Sequence, residues 1–428
     1  MLTSKLLQNS ILPLVIALLA FGCGKSAPSR EKDTVTVNND AATFADRVTD
    51  VNQTLEIVPA EEYRANLAAM PDVVSYVLKL VVDIKPPSID TLSVQADSIS
   101  LNSKGVAVAY NIAGDTQSGA IDIFSIEGSK VTLKSELKYA TRDVNGIFWA
   151  DKYLYAVGAD SAGTAHSYLS RIKMNGQYLS DKITEAHLLG YAGTGVYSTG
   201  SLVYTTSGDN GEVASFDPAT LKKTSSVPLF DARAVGYSSS SNQMFAFSGQ
   251  PGTLTTLTKT GALVSTIKIG GAATSQSKST IQVGDAMSLV SLGEEGFAIV
   301  CNADGTIEAS AKVASASLSK TAKAFTNGAS MYKNLVFAAN GEGGVFAYIA
   351  TPQNPLLPST KCQPITLVQA GYLKLEDLLS ANAVVFRDGN LIIASGNGGL
   401  KIVWVDIPST LPTVIGGENN DSEGFDEK

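Results

Sequence analysis

The sequence predicts an all-β fold, a ring of seven four-stranded antiparallel blades, and three observations carry that prediction. A short apolar strand, a Gly/Asn turn and a second apolar strand occur at Asn334 to Ala350 (NLVFAANGEGGVFAYIA) and return at Asn390 to Asp406 (NLIIASGNGGLKIVWVD). Related strand starts at Gly105, Tyr153, Leu202, Met244, Gly296, Leu335 and Leu391 lie roughly 40 to 55 residues apart, the spacing of four-stranded repeats. The 38 glycines among 428 residues favour many short strands joined by tight turns over long helices. Together these describe a seven-bladed β-propeller.

Composition bounds what such a ring can do. An apolar fraction of 44% with 17% charged residues supports a large core and excludes disorder of the whole chain. The formal charge of −8 argues against nucleic acid or an anionic membrane surface as the main partner, because both require a basic face.

The N-terminus reads as an address. Lys5 supplies a positive charge, Ile11 to Phe21 an apolar core, and Gly22-Cys23 follow, which is the pattern of a secretory signal over residues 1–22. The core is too short for a confident membrane span. Ala20-Phe21-Gly22-Cys23 resembles a bacterial lipobox, with alanine where leucine is usual. The resemblance implies that Cys23 is lipidated and becomes the first mature residue, so that a lipid anchor holds the chain in the membrane. Gly24, in place of Asp, favours the outer membrane or cell surface by the same resemblance. A plain signal peptide cleaved near Cys23 and an uncleaved anchor are the other readings.

Residues 23–54 are polar and mixed in charge, as expected of a flexible tether. Residues 55–89 are expected to form a cap, helical or mixed. Pro59-Ala60-Glu61-Glu62 has the form of a helix start, whereas Val73 to Ile84 fits a strand or a helix equally, and Lys85-Pro86-Pro87 ends the segment.

The propeller is expected over residues 90–415. Val144 to Trp149, Ala232 to Tyr237 and Ala383 to Phe386 read as inner strands lining a central channel. Turns such as Gly208-Asp209-Asn210-Gly211, Gly341-Glu342-Gly343-Gly344 and Gly396-Asn397-Gly398-Gly399 supply residues that tolerate positive φ. Outer strands such as Leu263 to Ile269 are more variable. The ring requires an outer strand for its last blade, and either Pro412 to Ile415 or Leu92 to Gln95 can supply it. Residues 416–428 are acidic and expected to be disordered.

Gly399 to Ile407 (GLKIVWVDI), preceded by LIIASGNG, resembles the LVIVD-type repeat of bacterial surface and secreted propellers, and Asn334 to Tyr348 is similar to it. Val203 to Pro228 resembles a YVTN-type propeller repeat, with a strand, a Gly/Asn turn and an Asp-Pro corner. These resemblances imply a propeller and leave its function open, since the architecture carries binding, scaffolding and catalytic roles alike.

Chemistry-bearing motifs are sparse. His166 and His187 are the only histidines and have no Cys or carboxylate at metal-ligand spacing, so no metal site is expected. Asp209-Asn210-Gly211-Glu212 and Asn302-Ala303-Asp304-Gly305 lack the alternating oxygen ligands of a calcium loop and read as turns. Phosphate loops and nucleophile elbows are absent, so neither a cofactor nor a catalytic residue is assigned. Cys301 and Cys362 fall in different blades, which favours two free thiols. Phe148, Trp149, Tyr191 and Tyr197 sit at or beside inner strands and form a candidate binding surface at the channel mouth, with core packing as the alternative.

The resulting expectation is a lipid-anchored surface or periplasmic module that binds a protein or a glycan, or acts as a scaffold. The alternative is a propeller enzyme, a lyase, lactonase or glycan hydrolase, using acids such as Asp115, Asp143, Asp160, Asp209 or Glu342 at one mouth.

Overall fold

The computed structural model describes residues 35–58, 77–114, 116–128, 130–161, 166–270, 278–316, 323–375, 380–406 and 413–416. The signal peptide, Cys23, the expected helix start at Pro59, Asp115 and residues 417–428 lie outside them.

Seven antiparallel sheets of four or five strands form the blades of a seven-bladed β-propeller. Blades one to six occupy residues 95–139, 142–187, 195–228, 232–268, 281–311 and 328–373, each running from its inner to its fourth strand. Middle strands are sandwiched between neighbouring blades, so both faces are covered and polar alternation disappears. Every residue of Val203–Thr206, Phe297–Cys301 and Leu335–Ala339 is buried. Fourth strands meet solvent, and Lys223–Pro228 and Leu263–Lys268 show the alternation that half-burial produces.

Four blades share a turn that stitches them to the next blade. Gly208, Gly293, Gly341 and Gly396, between the second and third strands, have φ of 68°, 62°, 58° and 54°. That left-handed backbone favours glycine. Each pairs with a residue just ahead of or at the start of the following blade's inner strand, respectively Ala232, Thr326, Ala381 and Ala96. The last of these bridges joins blade seven to blade one. Blade five corrects one sequence expectation, since its second strand is Met287–Ser291 and Phe297–Cys301 is its third. The turn at Gly293 is thus the counterpart of those at Gly208 and Gly341.

Ring closure differs from both sequence candidates. Blade seven takes Ala383–Arg387, Asn390–Ala394 and Leu400–Val405 from the end of the chain and Leu78–Ile84 from its beginning. Leu92–Ser93 instead pairs with Ser88–Ile89 in a short hairpin, and Gln95 begins the inner strand of blade one. Val414 and Ile415 form no strand and bury their side chains against blades five and six.

The four apolar residues Leu78, Leu80, Val82 and Ile84 are evenly spaced, which in a regular strand would place them on one face. A bulge between Leu80 and Val82, opposite Ile402 and Val403, divides them. Leu78 and Leu80 join the core shared with blade six, and Val82 and Ile84 that shared with blade one.

Part of the expected tether belongs to the folded body. Val35–Asn38 is a fifth strand on blade one, Val48–Leu55 a fifth strand on blade seven, and Ile57–Val58 extends blade six. These residues therefore form a belt across the closure point. Phe44 inserts into the core, and Arg47 hydrogen-bonds Lys85 O at 3.1 Å while pairing with the buried carboxylates of Asp122 and, at 2.6 Å, Glu136. Sequence reasoning missed the belt because its strands are largely polar and rest on the outside of other strands.

Cys301 and Cys362 are bonded, correcting the expectation of free thiols, with Cα atoms 5.5 Å apart. The insertion joining the third and fourth strands of blade six folds beneath blade five, where Ser359 Oγ donates to Asp285 Oδ2 at 3.0 Å. That docking brings Cys362 to the end of the blade-five strand carrying Cys301.

Candidate ligand-binding mouth

The inner strands enclose a channel with a cavity of about 160 Å³. At its upper end, on the face bearing the second-to-third-strand turns, lies a wider mouth of about 550 Å³. The links between blades supply half of the residues lining the mouth, because each crosses the upper face before starting an inner strand.

Lys278, just ahead of the first strand of blade five, crosses to the far side of the ring. Its Nζ donates to Asp97 Oδ2 at 2.6 Å, Asp97 O at 3.0 Å and Asn145 O at 2.8 Å. An ammonium has three protons, so all its donors are engaged, and Lys278 acts as a strut joining blades one, two and five. Its backbone amide donates to Asn327 Oδ1 at 3.1 Å, and Asn327 Nδ2 donates to Ala381 O at 3.3 Å, continuing the polar chain around the rim.

Across the mouth, Arg233 Nε donates to Asp231 Oδ1 at 2.9 Å. Burial pushes the Asp231 carboxyl above its usual range, while Arg233 and the Gln250 backbone amide pull it back. The pair fits because residue 249 is glycine: a Cβ there would lie 2.3 Å from Arg233 Nε and 2.6 Å from Asp231 Oδ2. The rings of Tyr191 and Phe230, 57% and 56% exposed, line the same mouth.

The four predicted aromatic residues are divided. Phe148 and Tyr197, penultimate residues of neighbouring inner strands, meet with ring centroids 4.6 Å apart and line the channel. Tyr237, at the same register position in blade four, extends the row at 6.2 Å from Tyr197 and was missed. Tyr191 belongs to the opposite mouth. Trp149 is fully buried between blades one and two, so its placement corrects the expectation of a surface role.

The candidate acids occupy separate settings. Asp143 Oδ1 accepts from the backbone amides of Ile112 and Ser118, both at 3.1 Å. Asp160 pairs with Arg142 at 2.9 Å, Glu342 accepts from the Lys323 amide at 2.8 Å, and Asp209 lines the upper mouth. His166 Nδ1 lies 3.1 Å from Asp160 O, and its ring packs on Tyr191. His187 lies on the outer strand of blade two. Among the described residues, the single grouping of three potential metal ligands is Cys301, Glu308 and Cys362, whose two sulfurs are bonded to one another. The two calcium-like fragments are turns: Asn302 accepts from Ser288 Oγ at 2.6 Å, and Asp304 from the Thr306 amide at 2.9 Å. Glu212 pairs with Lys223.

Sequence reasoning overlooked Lys278 and Asp231, polar residues in links, and Arg233, near the start of an inner strand, which acquire meaning only when the ring brings the blades together. A scan against protein-family models and a search of curated proteins each returned no match. Among solved structures the chain is similar to the WD40 beta propeller domain of Doa1, at 11% identity over 78% of this chain and 98% of that one, with a TM-score of 0.49. That similarity adds nothing to what the strand pairing already shows.

Proposed function

We propose that the chain is a lipid-anchored propeller at the bacterial outer membrane or cell surface that binds a protein or a glycan through its upper mouth. The observation that carries the binding role is the mouth itself, about 550 Å³, within the size range of ligand pockets and lined by polar groups with two exposed aromatic rings. The enzyme alternative needs carboxylates converging on one substrate; of the three that line the mouth, Asp97 is paired with Lys278 and Asp231 with Arg233, while Asp143 and Asp160 are engaged by backbone amides and by Arg142, and this favours binding.

The lipobox-like Ala20 to Cys23 and the resemblance of blades six and seven to a repeat of bacterial surface and secreted propellers support the address. Because the belt begins at Val35, only Gly24 to Thr34 separate the proposed lipid from the folded body. At roughly 3.5 Å per extended residue, the reach is at most about 40 Å. The propeller is thereby held close to the membrane.

Cys23→Ala should move the chain from the membrane fraction to the soluble fraction; unchanged partitioning would remove the anchor from this reading. Pull-down and glycan-array binding by the full chain should fall at least about tenfold in Gly249→Ala, whose Cβ displaces the Asp231–Arg233 pair. Equal binding by that variant would move the site elsewhere.

A further inference from the structure

We infer that the upper mouth takes a saccharide, with the Asp231 carboxylate and the Ser279 hydroxyl engaging hydroxyl groups of a neutral pyranose. This rests on the reading of the mouth as the ligand site and names the ligand class. Two residues lining the mouth, Asp231 and Ser279, are 8% and 2% exposed, and each holds a buried side-chain oxygen, Oδ2 and Oγ, without a hydrogen-bond partner. Buried polar atoms in folded proteins are nearly always satisfied, so two orphans in residues that border one cavity point to a group that enters it. An ionised carboxylate oxygen only accepts, whereas a hydroxyl both donates and accepts. Sugar hydroxyls complement both.

Charge disfavours an anionic ligand. Lys278 directs all three protons to Asp97 and Asn145, and the Arg233 guanidinium is held by Asp231. An anionic ligand would find both cations already paired and would face the remaining acid, Asp209, whereas a neutral one meets no such repulsion. Phe230 and Tyr191, both more than half exposed, offer apolar ring surface against which the C–H face of a pyranose packs.

The test presents the full chain to an immobilised panel of neutral glycans ending in hexoses and N-acetylhexosamines. At least one is expected to be retained, and binding should weaken about tenfold or more in both Asp231→Asn and Phe230→Ala. Phe230 is exposed, so its truncation leaves the core intact if Asp231→Asn perturbs folding. Tyr178→Ala, on the outer strand of blade two, should bind as the wild type does. Retention of no glycan, or equal retention by Asp231→Asn and Phe230→Ala, overturns the inference. If the wild type captures only a protein, and Gly249→Ala abolishes the capture, the saccharide is wrong while the mouth remains the ligand site. Glycan retention indifferent to every mouth variant overturns both.

Discussion

At the residue scale, Asp143 shows how ring geometry gives a carboxylate a pH-dependent role. It fastens the turn of blade one to the inner strand of blade two through the Ile112 and Ser118 amides, and Tyr168 Oη donates to its carbonyl at 2.8 Å. Burial pushes its carboxyl from the usual 3.8 up to about 6, the two backbone amides oppose this, and Asp97 adds to it. An acid with a raised folded pKa binds its proton more tightly in the folded state, so its contribution is favourable below about pH 4 and declines as pH rises through 6. That decline is worth roughly 3 kcal/mol, from a shift of about two units at 1.36 kcal/mol each. Asp143→Asn keeps an acceptor for both amides and removes the proton. Denaturant unfolding of the two proteins between pH 4 and 7 should show a falling slope in the wild type that is absent in the variant; parallel curves would contradict it. Such single residues were the least legible part of the sequence. Phe148 and Tyr197 were found because each marks an apolar inner strand, but the partners of Lys278, Asp97 and Asn145, lie more than a hundred residues away in sequence and meet it only because the ring brings their blades to one channel.

At the element scale, legibility followed burial. Strands buried on both faces, such as Leu335–Ala339, announce themselves as unbroken apolar runs, and their turns carry glycines required by positive φ. Blade five was misaligned because the serines of Met287–Ser291 interrupt its second strand. Leu78–Ile84 resisted assignment because its partner, Leu400–Val405, lies at the other end of the chain and a bulge splits its apolar residues between two cores. The belt outside it is held through Arg47, whose side chain is 14% exposed beside Asp122 at 0%. Removing one partner of a buried ion pair leaves the other charge unsolvated, which typically costs about 3–5 kcal/mol. Arg47→Met should destabilise the protein by that amount in chemical unfolding, and adding Asp122→Asn should recover part of the loss. A change below about 1 kcal/mol would mean that solvent already reaches Asp122.

At the scale of the whole molecule, the ring is closed by hydrogen bonds rather than by covalent links. The Gly396–Ala96 bridge and the strand Leu78–Ile84 join its ends, and the belt reinforces the seam from outside. The one covalent crosslink among the described residues, Cys301–Cys362, spans 61 residues and ties the blade-six insertion beneath blade five. A loop of that length restricts the unfolded chain enough to stabilise the fold by about 4 kcal/mol. Cys301→Ser with Cys362→Ser should lower stability by up to that figure and leave ligand binding unchanged, because the bridge lies on the face opposite the mouth. Loss of binding in this variant would show that the lower face contributes to recognition.

The division of the molecule into an upper working face and a lower, crosslinked face is the central claim. Amide hydrogen exchange across the full chain, with and without the ligand that the wild type retains, tests it most directly. Slowed exchange is predicted in the links at residues 191–194, 230–233 and 278–281, with no change at residues 354–363. Protection confined to the lower insertion, with the upper links exchanging as before, would contradict it.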